Sequence, residues 1–275
     1  RIVNAHLLFN VLVAVLALPL VNPAMRLAAL LAPVLPVPVQ PGQRPESALD
    51  RATLALPVLA LASAKRELLL MGAALEEMLT PALDMIAQAT SDGLTATRLL
   101  DDEINRRHGE VKLFLAALNE GELAEDEARH AIELTGVAIN LEHAGDLVAK
   151  TIAPLAQKKA AEGRRFSPEG MAELGAMHTR VMANLHLAMN VLVSGDPDAA
   201  RRLMREKEVM RGLERDSYEA HLARLRAGNA DSLATSNWHM EALRAFKEIN
   251  SLLVSVAAPI LEERGEMLRS RLAEG

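Results

Sequence analysis

Apolar side chains are concentrated near the start of the chain, above all in residues 2–20. Of these 19 residues 15 are apolar, and the exceptions are Asn4, His6, Asn10 and Pro19. A helix of about 20 mostly apolar residues is long enough to cross the hydrocarbon core of a bilayer. We therefore predict a transmembrane helix and assign residues 1–32 to a membrane segment, in preference to a cleaved signal peptide or a buried core helix.

A proline-rich stretch follows this apolar segment. Five prolines lie between residues 33 and 45. A helix cannot continue through them, because each proline removes a backbone donor and clashes with the preceding turn. We therefore predict a semi-rigid linker over residues 33–56 and a separate domain over residues 57–275.

From residue 57 onward, apolar positions recur every three or four residues, as they do along one face of a helix. Serine or aspartate followed by proline, at Ser167-Pro168 and Asp196-Pro197, marks two helix starts. These signals predict six helices, separated by turn residues. Their bounds are about 57–79, 91–118, 124–161, 168–195, 197–227 and 231–271, with a break at Thr80-Pro81 and a kink at Pro259.

The third and sixth predicted helices resemble each other at an offset of 105 residues. Ile152-Ala153-Pro154 aligns with Ala257-Ala258-Pro259, and the apolar stripes that precede them align as well. Similarity at a fixed offset is typical of a duplicated structural unit. We therefore predict two three-helix units, at about residues 57–161 and 167–271.

The composition agrees with an all-α fold and excludes several classes of protein. Only six residues are aromatic, whereas sheets favour aromatic and β-branched side chains. The absence of cysteine excludes disulfide scaffolds and thiolate metal sites. A net charge of −6 and few aromatic residues do not suit nucleic-acid binding. No catalytic motif is present, so we do not expect an enzyme.

Several short motifs give the chain a resemblance to a known family. They are Ala5-His6-Leu7-Leu8-Phe9-Asn10 in the apolar segment, Ala62-Ser63-Ala64-Lys65-Arg66-Glu67 after the linker, residues 218–225 with His221, and residues 235–244 with Trp238. Taken in this order, they resemble the C-terminal part of the bacterial sodium/phosphate cotransporter family. The resemblance implies an N-terminal transmembrane helix followed by a PhoU-like pair of three-helix bundles.

The resemblance also implies a function. The helical domain is expected to be cytoplasmic and to regulate sodium-dependent transport of inorganic phosphate at the bacterial inner membrane. Sodium and phosphate would bind an N-terminal transport core that these residues lack, so the chain alone should not transport. We expect the membrane, this core and a second copy of the chain as partners. The alternatives are a membrane-tethered metal-binding adaptor in phosphate signalling, and a structural helical tether.

Glu142 and Asp146 are candidate ligands for a divalent cation. Their spacing of four residues places both carboxylates on one helix face, and Gly145 allows a neighbouring helix to approach closely. Carboxylate oxygens suit hard divalent cations, but such ions need several converging oxygens. We therefore favour ordinary ion pairs with nearby lysine or arginine over a metal.

The resemblance extends this candidate site to the second helix of the first unit. In PhoU-like domains an acid from that helix completes a metal cluster, and Asp101 or Asp102 stands at this position. The second unit departs from the pattern, since Lys247 and Ser251 stand where Glu142 and Asp146 would recur.

His6 and Asn10 lie four residues apart within the predicted membrane helix. Polar side chains are costly in lipid, so they should face protein or water. They could line the cavity of the transport core, although we slightly favour hydrogen bonds to neighbouring helices.

Overall fold

Helices account for most of residues 47–266, the part of the chain that the computed structural model describes. No strand occurs among these residues, so the all-α prediction is confirmed for them. Within this part, no helix is both long and apolar enough to cross a membrane. The predicted membrane segment 1–32, with His6 and Asn10, lies outside the described residues. Of the predicted linker 33–56, only residues 47–56 are described, and they include a 3₁₀ turn over Arg51–Ala55.

Between residues 47 and 266 there are six longer helices and four shorter ones. Their bounds are α1 Pro57–Leu79, α2 Ala82–Ala87, α3 Ser91–Asn119, α4 Glu125–Asp146, α5 Ala153–Ala161, α6 Pro168–Ser194, α7 Pro197–Arg226, α8 Ala230–Ala234, α9 Ser236–Val254 and α10 Ala258–Glu262. A π-helical segment, Leu147–Ile152, connects α4 to α5, and a 3₁₀ turn, Ser255–Ala257, connects α9 to α10.

The helix starts follow the local sequence signals. Ser167 caps α6, where its hydroxyl accepts a hydrogen bond from the Gly170 amide at 3.1 Å. The Asp196 carboxylate caps α7 in the same way by accepting from the amides of Asp198 and Ala199. A proline occupies the first position of both helices, where its missing N–H leaves no helical hydrogen bond unmade. The predicted starts of these two helices are therefore confirmed.

The prediction of one continuous sixth helix from Asp231 is wrong. The side chain of Asn229 caps a separate short helix, α8, by accepting from the Ser232 amide. Thr235 then has a non-helical backbone, with φ −117° and ψ 10°, and α9 begins at Ser236. Among the described residues the last helix ends at Glu262 and does not continue towards residue 271.

The two prolines aligned by the 105-residue offset disturb the helices at equivalent places. Pro154 has no N–H to donate to the carbonyl of Lys150, so the helix ladder is interrupted there. The chain widens into a π-helical segment, in which the Ala153 amide donates to the Val148 carbonyl. Before Pro259 the chain instead tightens into a 3₁₀ turn.

The long helices pack in two groups of three. Helices α1, α3 and α4 contact one another, and so do α6, α7 and α9. The groups meet where α1 packs against α6 and α4 against α9. Polar contacts cross this seam: Asn140 donates to the Ser255 hydroxyl at 2.7 Å, and a ring nitrogen of His178 lies 2.8 Å from the Leu79 carbonyl. One hydrophobic core extends through both groups.

Candidate functional site

An acidic cluster lies between α3 and α4 in the first three-helix group. Asp146 is the last residue of α4, and its Oδ1 atom is 2.5 Å from Nζ of Lys150 in the π-helical segment. The side chain of Asp146 is 24% exposed and that of Lys150 is 62% exposed. On α3, Asp101 accepts a hydrogen bond from Asn105 at 3.3 Å. Asp146 therefore has a cationic neighbour, whereas Oδ1 of Asp101 is buried and has no hydrogen-bond partner among the described residues.

The electrostatics show that the four predicted acids share one neighbourhood. Burial raises the pKa of Asp101, and the Asp146, Asp102 and Glu142 carboxylates raise it further, whereas Lys150 lowers it. The pKa of Lys150 is raised, first by its hydrogen bond to Asp146 and then by the surrounding carboxylates. The structure thus brings the predicted residues together, but it places a lysine among them.

The donor set of this cluster does not fit a divalent metal centre. Among residues 47–266, no three His, Asp or Glu side chains converge as metal ligands do. One oxygen of Asp146 is already held by Lys150, and Asp102 is exposed. In the second group, Lys247 pairs with Glu214 at 2.7 Å, and the Ser251 hydroxyl donates to the Lys247 carbonyl. A hard cation would need several free oxygens at one point.

A second polar cluster lies at one end of the second group. His221 of α7 and His239 of α9 are both 2% exposed, and their rings stack with centroids 5.0 Å apart. Oε2 of Glu173 lies 3.1 Å from Nε2 of His239, and the same carboxylate pairs with Arg224 through two contacts of 2.5 and 2.9 Å. The other histidine, His221, lies 2.8 Å from the Ser236 hydroxyl.

Burial and neighbouring groups together lower the pKa values of both Glu173 and His221, by different balances of causes. Burial raises the pKa of Glu173, but hydrogen bonds from His239 and Arg224 outweigh it and leave the pKa below its ordinary value. Burial lowers the pKa of His221, and the neighbouring His239 and Arg224 lower it further, against an opposing effect of Glu173. The structure therefore favours a charged Glu173 beside a neutral His221.

The lowered pKa of His221 predicts that acid destabilises this group of helices. The unfolded chain takes up a proton on His221 near pH 6.5, whereas the folded chain does so only at lower pH. The stabilisation is thus fully present above about pH 6.5 and declines as the pH falls below it, by at most about 1.4 kcal/mol per pH unit. Urea unfolding at pH 7.5 and 5.5 should show a larger loss for the wild type than for His221→Gln. Equal losses would contradict this assignment.

A third cluster, a buried set of ion pairs between α1 and α3, was not predicted from the sequence. Arg107 is 1% exposed, and it pairs with the fully buried Glu67 and, at 2.7 Å, with Glu103. The second oxygen of Glu67 accepts hydrogen bonds from the Ala48 amide at 2.5 Å and the Ser47 hydroxyl at 3.2 Å. Glu67 therefore ties the first described residues to the helices.

A position-by-position count along α1 could have revealed this cluster. Apolar residues buried in α1 include Ala60, Ala64, Leu68 and Met71. Glu67 falls on the same face at helical spacing. A single acid within an apolar face requires a buried partner, because an unpaired buried charge is costly.

Comparisons with known proteins agree with this architecture. Residues 68–153 match the family model described as the PhoU domain. The crystal structure of PhoU from Pseudomonas aeruginosa superimposes with a TM-score of 0.68, at 21% identity, over 74% of this chain and 97% of that one. The phosphate transport system regulatory protein PhoU from Streptococcus pneumoniae gives a TM-score of 0.65 at 16% identity, over 78% and 100% of the two chains. The described residues thus form a PhoU-like helical domain.

Curated relatives extend the comparison beyond this domain. The chain is 36% identical over 268 residues to the Escherichia coli K12 protein named "Putative inorganic phosphate export protein YjbB", covering 96% of this chain and 48% of that protein. The Salmonella typhimurium protein of the same name is 40% identical over 224 residues, covering 79% and 41%. The chain is therefore homologous to YjbB and spans about half the length of these relatives. Their name refers to phosphate export and does not mention a sodium/phosphate cotransporter.

Proposed function

We propose that this chain contains the regulatory domain of an inorganic phosphate transporter of the bacterial inner membrane. The observation that carries the proposal is the continuity of two similarities in one chain. The described helices have a PhoU-like fold, and 96% of the same chain aligns with a protein named for phosphate export. A fold alone does not define a function, but a domain encoded together with transporter-like sequence has an evident target.

The proposed arrangement places residues 1–32 in the membrane as the last helix of a transport core, with His6 and Asn10 facing that core. The helical domain would lie in the cytoplasm. Sodium coupling is part of the proposal and rests on the resemblance carried by Ala5-His6-Leu7-Leu8-Phe9-Asn10. The direction of phosphate movement follows from the sodium gradient and the phosphate gradient together, so uptake and export must both be measured.

The proposed mechanism is a population shift. A helical domain that binds one conformation of the transport core more tightly shifts the core towards that conformation. The five prolines between residues 33 and 45 predict a stiff connection, through which a movement of the domain would reach the proposed membrane helix. The size of the effect is limited by the difference between the two binding free energies.

Phosphate flux through the full-length transporter tests this proposal. Radiolabelled phosphate uptake and efflux should be measured with and without a sodium gradient, in the intact protein and in a form that stops after residue 46. We expect the truncated form to transport while losing the dependence of flux on internal phosphate. A second variant, with residues 33–45 replaced by a Gly/Ser linker, should keep the domain and lose the same control. Unchanged control in both variants would refute regulation by this domain.

A further inference from the structure

A lysine lies at each of the two places where the PhoU resemblance would put a divalent metal site. In the first helix group, Lys150 reaches back one turn to Asp146 at 2.5 Å. Its charge also acts on Asp101 and Glu142, the other predicted ligands. This lysine therefore interacts with three of the four acids that would have formed the site.

In the second group, too, a lysine pairs with a carboxylate near the position of the expected metal site, but a different lysine does so. Lys247 stands at the position that corresponds to Glu142 under the 105-residue offset. Its ammonium group lies 2.7 Å from Oε2 of Glu214 on α7. A neutral serine, Ser251, replaces the second carboxylate and bonds back to the helix. The acid pair of the first group has thus become a lysine–glutamate pair.

The backbone explains how Lys150 is placed. The π-helical segment Leu147–Ile152 begins directly after Asp146, because Pro154 interrupts the regular ladder. Lys150 lies inside this wider segment, four residues after its partner. Local π-helical geometry is frequent at functional positions. Here it places a side-chain cation next to the carboxylate that ends α4.

We propose that the ammonium groups of Lys150 and Lys247 serve as built-in cations in the two helix groups, so that this PhoU-like domain is stable without divalent metal. A tethered ammonium group neutralises a carboxylate without needing several converging oxygens, which a divalent ion requires. It also removes the oxygen of Asp146 from the set available to an ion. In the second group, as in the rest of residues 47–266, no three acidic or histidine side chains converge on one point.

Metal titration of the 275-residue chain tests the proposal. After treatment with a chelator, the unfolding temperature and bound metal should be measured with and without 1 mM MnCl₂. We expect the wild type to bind no stoichiometric Mn²⁺ and to unfold at the same temperature in both conditions. Lys150→Met and Lys247→Met should each unfold about 1–4 °C lower in chelator. Lys158→Met, which removes an exposed lysine from α5, is the matched control and should behave as the wild type.

Neither lysine variant should regain its stability when the metal is added. No three acidic or histidine side chains converge as metal ligands among residues 47–266, so removing an ammonium group leaves no divalent site in either helix group. The proposal is overturned if the wild type holds stoichiometric Mn²⁺ or loses stability in chelator. It is also overturned if Lys150→Met or Lys247→Met matches Lys158→Met.

Discussion

Replacing Arg107 by methionine is expected to lower the free energy of unfolding by about 3–5 kcal/mol. The reason is the environment of its partner, since Glu67 is fully buried and would lose the guanidinium group that compensates its burial. The hydrogen bonds from Ser47 and Ala48 do not neutralise that charge. Urea unfolding followed by circular dichroism, with the slope of the transition compared between variants, measures the loss.

Arg106→Met is the matched control for this experiment. Arg106 is the adjacent residue on α3, and it also pairs with Glu103 at 2.8 Å, but it is 40% exposed. Exposed ion pairs contribute at most about 1 kcal/mol, so the control should change little. The double variant Glu67→Met with Arg107→Met should recover part of the loss, because it does not leave the buried Glu67 carboxylate without its partner. A loss for Arg107→Met no larger than that for Arg106→Met would show that the buried pair is not important for stability.

This buried cluster also has a consequence for the proposed regulation. Glu67 is the point at which two residues of the predicted linker, Ser47 and Ala48, are bonded to α1. Arg107 extends the connection to α3. A movement of α1 relative to α3 would therefore act first on the segment that leads towards the predicted membrane helix. The same residues thus support both the fold and the proposed path of coupling.

The sequence predicted the helices well where local signals set their ends. Pro57 and Ser167-Pro168 each fixed a start, because a proline at the first helical position and a capping hydroxyl act within a few residues. The π-helical segment before Pro154 was not predicted. Pro154 and Pro259 each interrupt the series of helical hydrogen bonds. Whether the backbone before the proline becomes π-helical or 3₁₀ depends on packing between helices. The 3₁₀ turn before Pro259 shows the other outcome.

The candidate sites were likewise predictable where they depend on spacing along one helix, and not where they depend on contacts between helices. Glu142 and Asp146 could be recognised from their spacing, and ion pairs were favoured over a metal, but spacing alone did not identify Lys150 as the partner. The histidine pair joins residues 221 and 239 of different helices, so no periodic pattern connects them. Glu67 and Arg107 lie 40 residues apart. Such contacts arise from the packing of helices, which the sequence pattern does not specify.

Replacing Phe246 by alanine is expected to cost about 3–5 kcal/mol, because the side chain is fully buried and its loss leaves a cavity. Phe246 of α9 contacts the ring of His178 edge-on, at 5.8 Å between centroids. His178 in turn bonds the Leu79 carbonyl at the end of α1, so the cavity would loosen the contact between the two helix groups. Hydrogen exchange should show faster opening at the end of α1 and in the part of α6 around His178, and urea unfolding should show the loss of stability.

Phe246→Leu should cost less than about 1.5 kcal/mol, since most of the volume remains. Leu113→Ala, at a 66% exposed position, should change stability by less than about 0.5 kcal/mol. A loss for Phe246→Ala as small as that for Leu113→Ala would mean that the two groups do not depend on this residue for their packing.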